Sequence, residues 1–205
     1  MRKLEKALAL TDVYLLIPLK RDEEIFRLER NAIQRPIKIN YDDYSIRRFN
    51  VPRGTTSVIM SDLIAGPLPE KLYWGLQTIS SYTGSFESSS TTFGRNKLLK
   101  ANLYINGKTA DDFPITMSGK HACLPFVKFL ENSNQQLNGF LSQTINMIEF
   151  ANWNLLLSTS IEPETGSLSF EFEFETELDT DLVLITCGIS EKTMRLDNNR
   201  NFQIT

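Results

Sequence analysis

The sequence predicts an all-β fold: an eight-stranded jelly-roll β-sandwich with one or two short helices in its loops. Three observations carry this. Apolar residues recur with a period of two rather than 3.6, the pattern of strands with one buried and one wet face. Short apolar runs follow one another closely, separated by Gly, Pro, Asn and Asp. Helical periodicity is confined to two stretches, and neither an internal repeat nor a strand–helix–strand rhythm is present.

Each element has its own signal. Residues 12–19 read as a strand that ends at a proline and a charged run. Residues 22–33 read as a helix, with Ile25, Leu28 and Ile33 near one face and Asp22, Glu23 and Glu24 suited to the positive end of its dipole. Strands at 37–41 and 44–51 flank Asp42-Asp43; a strand at 57–60 leads into Gly66-Pro67-Leu68-Pro69; and one at 72–79 precedes a loop at 80–94 rich in Ser, Thr and Gly. Residues 98–105 stop at Asn106-Gly107, the strongest short hairpin signal. Residues 124–130 form the second helical stretch, with Val127 and Leu130 on one side. Residues 145–161 read as strand, broken near Asn152 and closed by Glu162-Pro163.

The clearest strand is 168–178. Leu168, Phe170, Phe172, Phe174 and Leu178 share one face, and Glu171, Glu173, Glu175 and Glu177 the other. Because like charges repel along a ladder, those glutamates should meet water, a strand carrying Lys and Arg, or a subunit partner. Asp179-Thr180-Asp181 joins this strand to one at 182–189, and 193–196 closes the set.

Composition bounds the function. At 205 residues, with 41% hydrophobic and 23% charged, the chain is long enough for a sizeable core and is neither disordered nor low in complexity. The formal charge of −3 gives no basic excess for dedicated nucleic-acid binding. Its distribution is uneven: residues 1–53 carry a balance of +4 and the remainder −7, and the basic residues do not cluster beyond a pair such as Arg47-Arg48. Val13-Tyr14-Leu15-Leu16-Ile17 is far short of the ~20 apolar residues of a membrane helix, so no membrane span is expected. The first residues lack a secretory cleavage pattern. Cys123 and Cys187 make no metal-spaced pair and read as two buried thiols, their pairing undecided by sequence.

No catalytic constellation emerges. A single histidine, His121, rules out two-His zinc motifs, and Cys123 two residues away is poorly placed as its nucleophile. Gly107-Lys108-Thr109 imitates the end of a phosphate-binding loop, but Asn102 stands where that loop requires its first glycine. Asp42-Asp43 and Asp111-Asp112 read as solvated charges, because adjacent carboxylates on a strand point to opposite faces. No catalytic, cofactor or metal residues are assigned, and the chain is not expected to be an enzyme.

Five segments in order carry a resemblance: Thr11-Asp12-Val13-Tyr14-Leu15; Phe49-Asn50-Val51-Pro52-Arg53-Gly54-Thr55; Ile64-Ala65-Gly66-Pro67-Leu68-Pro69-Glu70-Lys71-Leu72-Tyr73-Trp74-Gly75-Leu76; Asn102-Leu103-Tyr104-Ile105-Asn106-Gly107; and Met194-Arg195-Leu196-Asp197-Asn198-Asn199-Arg200-Asn201. Over roughly residues 10–201 this order resembles the C-terminal jelly-roll part of the hexon-like, double jelly-roll major capsid proteins of Polinton/Maverick elements and adintoviruses. The sequence departs from that pattern at Pro67 and Glu70, in the serine-rich loop after Gly84, and at Cys187-Gly188-Ile189.

The resemblance implies a structural capsid protein that assembles into trimeric capsomers of an icosahedral shell. Its implied partners are other copies of itself, a separate N-terminal jelly-roll chain, and penton and minor capsid proteins, with no specific nucleic acid. Its implied location is the virion capsid, after synthesis in the host cytoplasm or nucleus. Family capsid proteins carry two rolls and this length suits one, so the expectation is the C-terminal roll of a truncated, split or endogenised gene. Residues 1–35 would lead in from the missing roll and residues 36–205 would form the jelly roll. Loops 80–94 and 108–143 are the implied intersubunit or exterior surface. A second reading, a ligand- or carbohydrate-binding β-sandwich, would use Trp74, Trp153, Tyr73 and Tyr82 as a stacking platform. It requires those aromatics on one exposed face, and burial between the sheets counts against it.

Overall fold

The computed structural model describes residues 27, 37–85, 88–111, 113–117, 123–132, 147–153, 155–162, 164–196 and 202–204. The predicted strand at 12–19, the predicted helix at 22–33 apart from Arg27, and His121 lie outside them. Ten strands are described: β1 (Ile37–Val51), β2 (Ser57–Pro67), β3 (Lys71–Thr78), β4 (Leu98–Ile105), β5 (Lys108–Thr109), β6 (Ile115–Thr116), β7 (Leu157–Ser160), β8 (Thr165–Phe174), β9 (Leu182–Leu196) and β10 (Phe202–Ile204). The described helices are α1 (Ile79–Thr83), α2 (Cys123–Asn132) and α3 (Met147–Trp153). The chain divides into two compact units, 40–192 and a smaller one of 1–39 with 193–205. Within the smaller unit, β10 runs antiparallel to the end of β9, with Phe202 opposite Leu196 and Ile204 opposite Met194.

The larger unit is a jelly roll. One sheet has the order β1-β9-β3-β7 and the other β2-β8-β4-β5, with β6 beside β4. The pairings nest: β1 with β9, β2 with β8, β3 with β7, β4 with β5. The chain is thus one long ribbon whose tip is the β4–β5 hairpin, rolled until β3 also meets β9 and β4 also meets β8. The tip is Asn106-Gly107, with φ of 52° and 77°. Both residues are left-handed, as a two-residue hairpin turn requires, and that is why Asn and Gly stand there. The Asn106 side chain accepts a 3.0 Å bond from the Ser167 amide, fixing the tip against β8.

The inner layer follows from alternation. Leu72, Trp74 and Leu76 of β3 and Leu182 and Leu184 of β9 meet Leu168, Phe170 and Phe172 of β8 and Leu98, Ala101 and Leu103 of β4. At its centre the Trp74 ring lies 4.9 Å from that of Phe170 and 5.5 Å from that of Phe172. These spacings suit tilted aromatic packing.

Several elements differ from expectation, each for a local reason. Residues 37–51 are one strand, not two flanking an Asp-Asp turn. Asp42 faces water while Asp43 receives Lys192 of β9, so neither carboxylate needs a turn. The strand expected at 57–60 continues to Pro67 through a register shift between Met60 and Ile64, where Asp62 takes a φ of 52° and its amide donates to Ser169 Oγ. Residues 145–161 are not a single strand: 147–153 form α3 and only Leu157–Ser160 join a sheet. The helix places Phe150 against Phe126 and Phe129 of α2, at 5.1 and 5.5 Å between ring centroids. Residues 193–196 prolong β9 rather than forming a separate strand, and the loop at 80–94 begins inside α1. The Glu-rich strand spans Thr165–Phe174, and Leu178 stays buried after the chain leaves the sheet.

Candidate assembly surfaces

The outer faces of the two sheets are built differently. On the β9 sheet, register places Tyr73, Gly75 and Gln77 of β3 beside Cys187, Ile185 and Val183 of β9. Gln77 and Val183 are 2% and 1% exposed, and the chain after α1 lies over Gln77. Gln77 Nε2 donates to the Ser90 carbonyl at 2.8 Å and Asn96 Nδ2 to that of Leu76 at 3.0 Å. The Phe93 ring sits so close over Gly75 that a Cβ there would lie 2.6 Å from it. Part of the expected exterior loop is therefore a cover for this sheet. Farther along the same face, burial pushes up the pKa of the Tyr73 hydroxyl, helped by Cys187 and Tyr44 nearby.

The β8 sheet carries an uncovered polar ladder. Tyr104 Oη donates to Glu171 at 2.6 Å, Asn102 Nδ2 donates to the same carboxylate at 3.3 Å, and Lys100 pairs with Glu173 at 3.1 Å. Beyond the strand end Arg95 pairs with Glu175, and Lys97 with Asp179 at 2.6 Å. Of the environments open to the glutamate face, a neighbouring strand carrying a lysine is the one found for Glu173. The Tyr104 hydroxyl, then Asn102, hold the Glu171 carboxyl below its ordinary range, while Glu171 pushes the Tyr104 hydroxyl upward. The hydrogen bond to Glu173 likewise raises Lys100.

At each flank the sandwich opens between two edge strands. Between β1 and β2, beside α1, lies a groove of about 580 Å³ with Phe49, Val58, Met60 and Leu63 among its lining. Arg48 is its one charged lining residue. The guanidinium lies 5.5 Å over the Tyr82 ring, and Nη1 donates to Tyr82 Oη at 2.8 Å. Among the described residues Arg48 has no carboxylate partner. Tyr44, Ile46 and Ile59, on these same edge strands, are 60%, 71% and 66% exposed.

The opposite flank is bounded by β5 and β7, the other ends of the two sheets. A second groove of about 580 Å³ lies there, with Lys108, Asp111, Glu162 and Glu164 as its charged lining residues. No ion-pair partner is found for Glu162 or Glu164 among the described residues. Helix α2 packs on β7, where Ser158 Oγ donates to the Lys128 carbonyl at 3.2 Å. Together α2 and α3 present Leu124, Val127, Met147 and Ile148 to solvent.

The residues weighed for chemistry scatter. Lys108 and Thr109 are an exposed strand after a turn, not a phosphate cradle. Asp111 is exposed, and Asp112 lies outside the described residues. Both cysteines are free, but only Cys187 is partly buried; burial raises its thiol pKa. The expectation of two buried thiols fails at Cys123, exposed at the start of α2 with Met147 Sδ 3.2 Å away. The four aromatics offered as a sugar platform do not form one: Trp74 is buried between the sheets, Tyr82 stacks under Arg48, and Tyr73 lies in the β9 sheet. The side chain of Trp153 is outside the described residues. Arg47-Arg48 was legible as a basic pair, whereas Glu162 read only as the close of a strand and Glu164 carried no signal.

No family model matches the chain, and no curated protein does either. Solved capsid structures do match in fold. A chain of the PBCV-1 virus capsid is 11% identical with a TM-score of 0.50, and the match covers 87% of this chain and 54% of that one. PBCV-1 VP54, as fitted into a reconstruction of the virophage Sputnik, is 11% identical with a TM-score of 0.52 and the same coverage. The Sputnik virophage cryo-EM structure is 12% identical with a TM-score of 0.47, covering 82% of this chain and 39% of that one. The chain thus spans about half the length of the PBCV-1 capsid chains it matches, and what it shares with them is the jelly-roll fold.

Proposed function

We propose that this chain is a structural capsid protein whose role is shape and homotypic assembly. The observation that carries the reading is the nested jelly roll, which superposes over 87% of its length on PBCV-1 capsid chains. Exposed apolar residues on the edge strands β1 and β2 and on α2 and α3, together with the two open grooves, support it as contact surface.

In finer detail, the reading is a hexon-like protein of Polinton/Maverick or adintovirus kind that contributes the C-terminal jelly roll to a trimeric capsomer in the virion. Residues 36–205 form that roll and residues 1–35 lead into it. Its partners are other copies of the chain, an N-terminal jelly roll, and penton and minor capsid proteins.

Sedimentation velocity across a concentration series tests this, for the chain alone and coexpressed with an N-terminal jelly roll of matching kind. The reading predicts a trimer in at least one arm. A strict monomer in both arms overturns it.

A further inference from the structure

We propose that the β1–β2 flank of one copy docks on the β5–β7 flank of a second copy of this chain, with Arg48 opposite Glu162 and Glu164. This inference rests on the homotypic assembly proposed above and adds which surfaces meet.

Three observations select this partner. First, the charges complement. The β1–β2 groove contains one cation, Arg48, and no anion, while the β5–β7 groove contains three carboxylates and one lysine. Neither Arg48 nor the two glutamates have an ion-pair partner among the described residues. Within one copy the two flanks are opposite edges of the same sandwich, so these charges meet only between copies. Second, exposed aliphatic side chains occur on the elements bordering each flank: Ile46, 71% exposed and two residues from Arg48 on β1, and Leu124 at 59% and Ile148 at 69% on the helix pair of which α2 packs on β7. Burying those groups against each other supplies the non-directional attraction that a charge pair alone lacks. Third, the surfaces are different patches, so the contact is head-to-tail. A head-to-tail joint leaves a free flank on each copy and adds copies until a ring closes, whereas a self-complementary patch stops at two.

The Tyr82 ring holds the guanidinium in place before contact. Arg48 donates through one nitrogen to Tyr82 Oη and stacks over the ring, leaving its other donors for an incoming carboxylate. Preorganising a long side chain in this way lowers the entropy lost on docking.

The test is charge reversal on the full chain, read by sedimentation equilibrium. Arg48→Glu alone and Glu162→Arg with Glu164→Arg should each weaken self-association by about tenfold or more. Combining all three changes should restore it, because the reversed charges again face their opposites. Ile46→Ser and Ile148→Ser, at exposed positions that the core does not use, should weaken association singly while circular dichroism stays unchanged. If wild-type and all variants associate equally, the chain assembles through another surface and the docking proposal is overturned while the capsid reading stands. If Arg48→Glu weakens association and the triple change fails to restore it, the Arg48 flank receives something other than the β5–β7 flank, and the proposal is again overturned. A wild-type chain that stays monomeric at every concentration overturns the docking proposal, while the capsid reading falls only if the sample coexpressed with an N-terminal jelly roll is monomeric too.

Discussion

The two sheets share one apolar inner layer and part company on their outer faces. On the β9 sheet, Gln77 and Val183 point away from the core yet are buried, and the segment that carries Ser90 and Phe93 lies over Gln77 and Gly75. On the β8 sheet, Glu171 and Glu173 occupy the corresponding outward positions and remain half-exposed, tied to Tyr104 and Lys100. The first face behaves as a second, thin core; the second is a solvated surface held in order by hydrogen bonds. Substitutions at outward positions should therefore be expensive on one sheet and mild on the other.

The largest effect is expected from Val183→Asp. An unpaired carboxylate at this buried position should cost more than about 4 kcal/mol, a large share of a domain's total stability. A melting curve close to wild type for this variant would mean the outer face is not sealed. Next comes Phe170→Ala in the shared layer, expected to cost about 3–5 kcal/mol by denaturant titration, since the ring is 1% exposed between Trp74 and Phe172. Gln77→Ala removes the bond to the Ser90 carbonyl and should cost about 1–2 kcal/mol, with faster amide exchange along 88–97 as its local signature.

The smallest effect belongs to the polar ladder and is best read by pH. Glu171 has a folded pKa below its ordinary 4.5, so its bond to Tyr104 stabilises the fold above that value and is lost as pH falls through the folded pKa. Tyr104 has a folded pKa above 10.0, so the same bond is present below 10.0 and lost as pH rises through the folded value. In Tyr104→Phe the Glu171 carboxyl should move back up toward its ordinary range in an NMR titration, with little change in melting temperature at neutral pH. A Glu171 titration unaffected by the change would show that the tyrosine does not hold the carboxylate.

The difference between the two faces was partly legible. Residues 168–174 alternate strictly, and strict alternation means one wet face; the structure agrees, with Leu168, Phe170, Phe172 and Phe174 buried and the glutamates outside. The runs Leu72-Tyr73-Trp74-Gly75-Leu76 and Leu182-Val183-Leu184-Ile185 do not alternate, the pattern of strands covered on both sides. What covers them was not legible, because the Ser90 carbonyl and the Phe93 ring act through backbone position and one close approach to Gly75, neither of which leaves a periodic trace. Helix α3 escaped for a related reason: a single turn or two around Phe150 cannot be distinguished by period from a short apolar strand. The flanks were the least visible, since Arg48 and Glu162 acquire meaning only when the rolled ribbon sets them on opposite edges.

Threefold assembly is central to the capsid reading, and electron microscopy of the chain, alone and coexpressed with an N-terminal jelly roll, addresses it most directly. Class averages should show a closed ring of three sandwiches joined flank to flank, with the covered and uncovered sheet faces distinguishable around it. Averages of isolated, unassembled sandwiches at every concentration in both samples, or pairs related by a twofold axis, would contradict it.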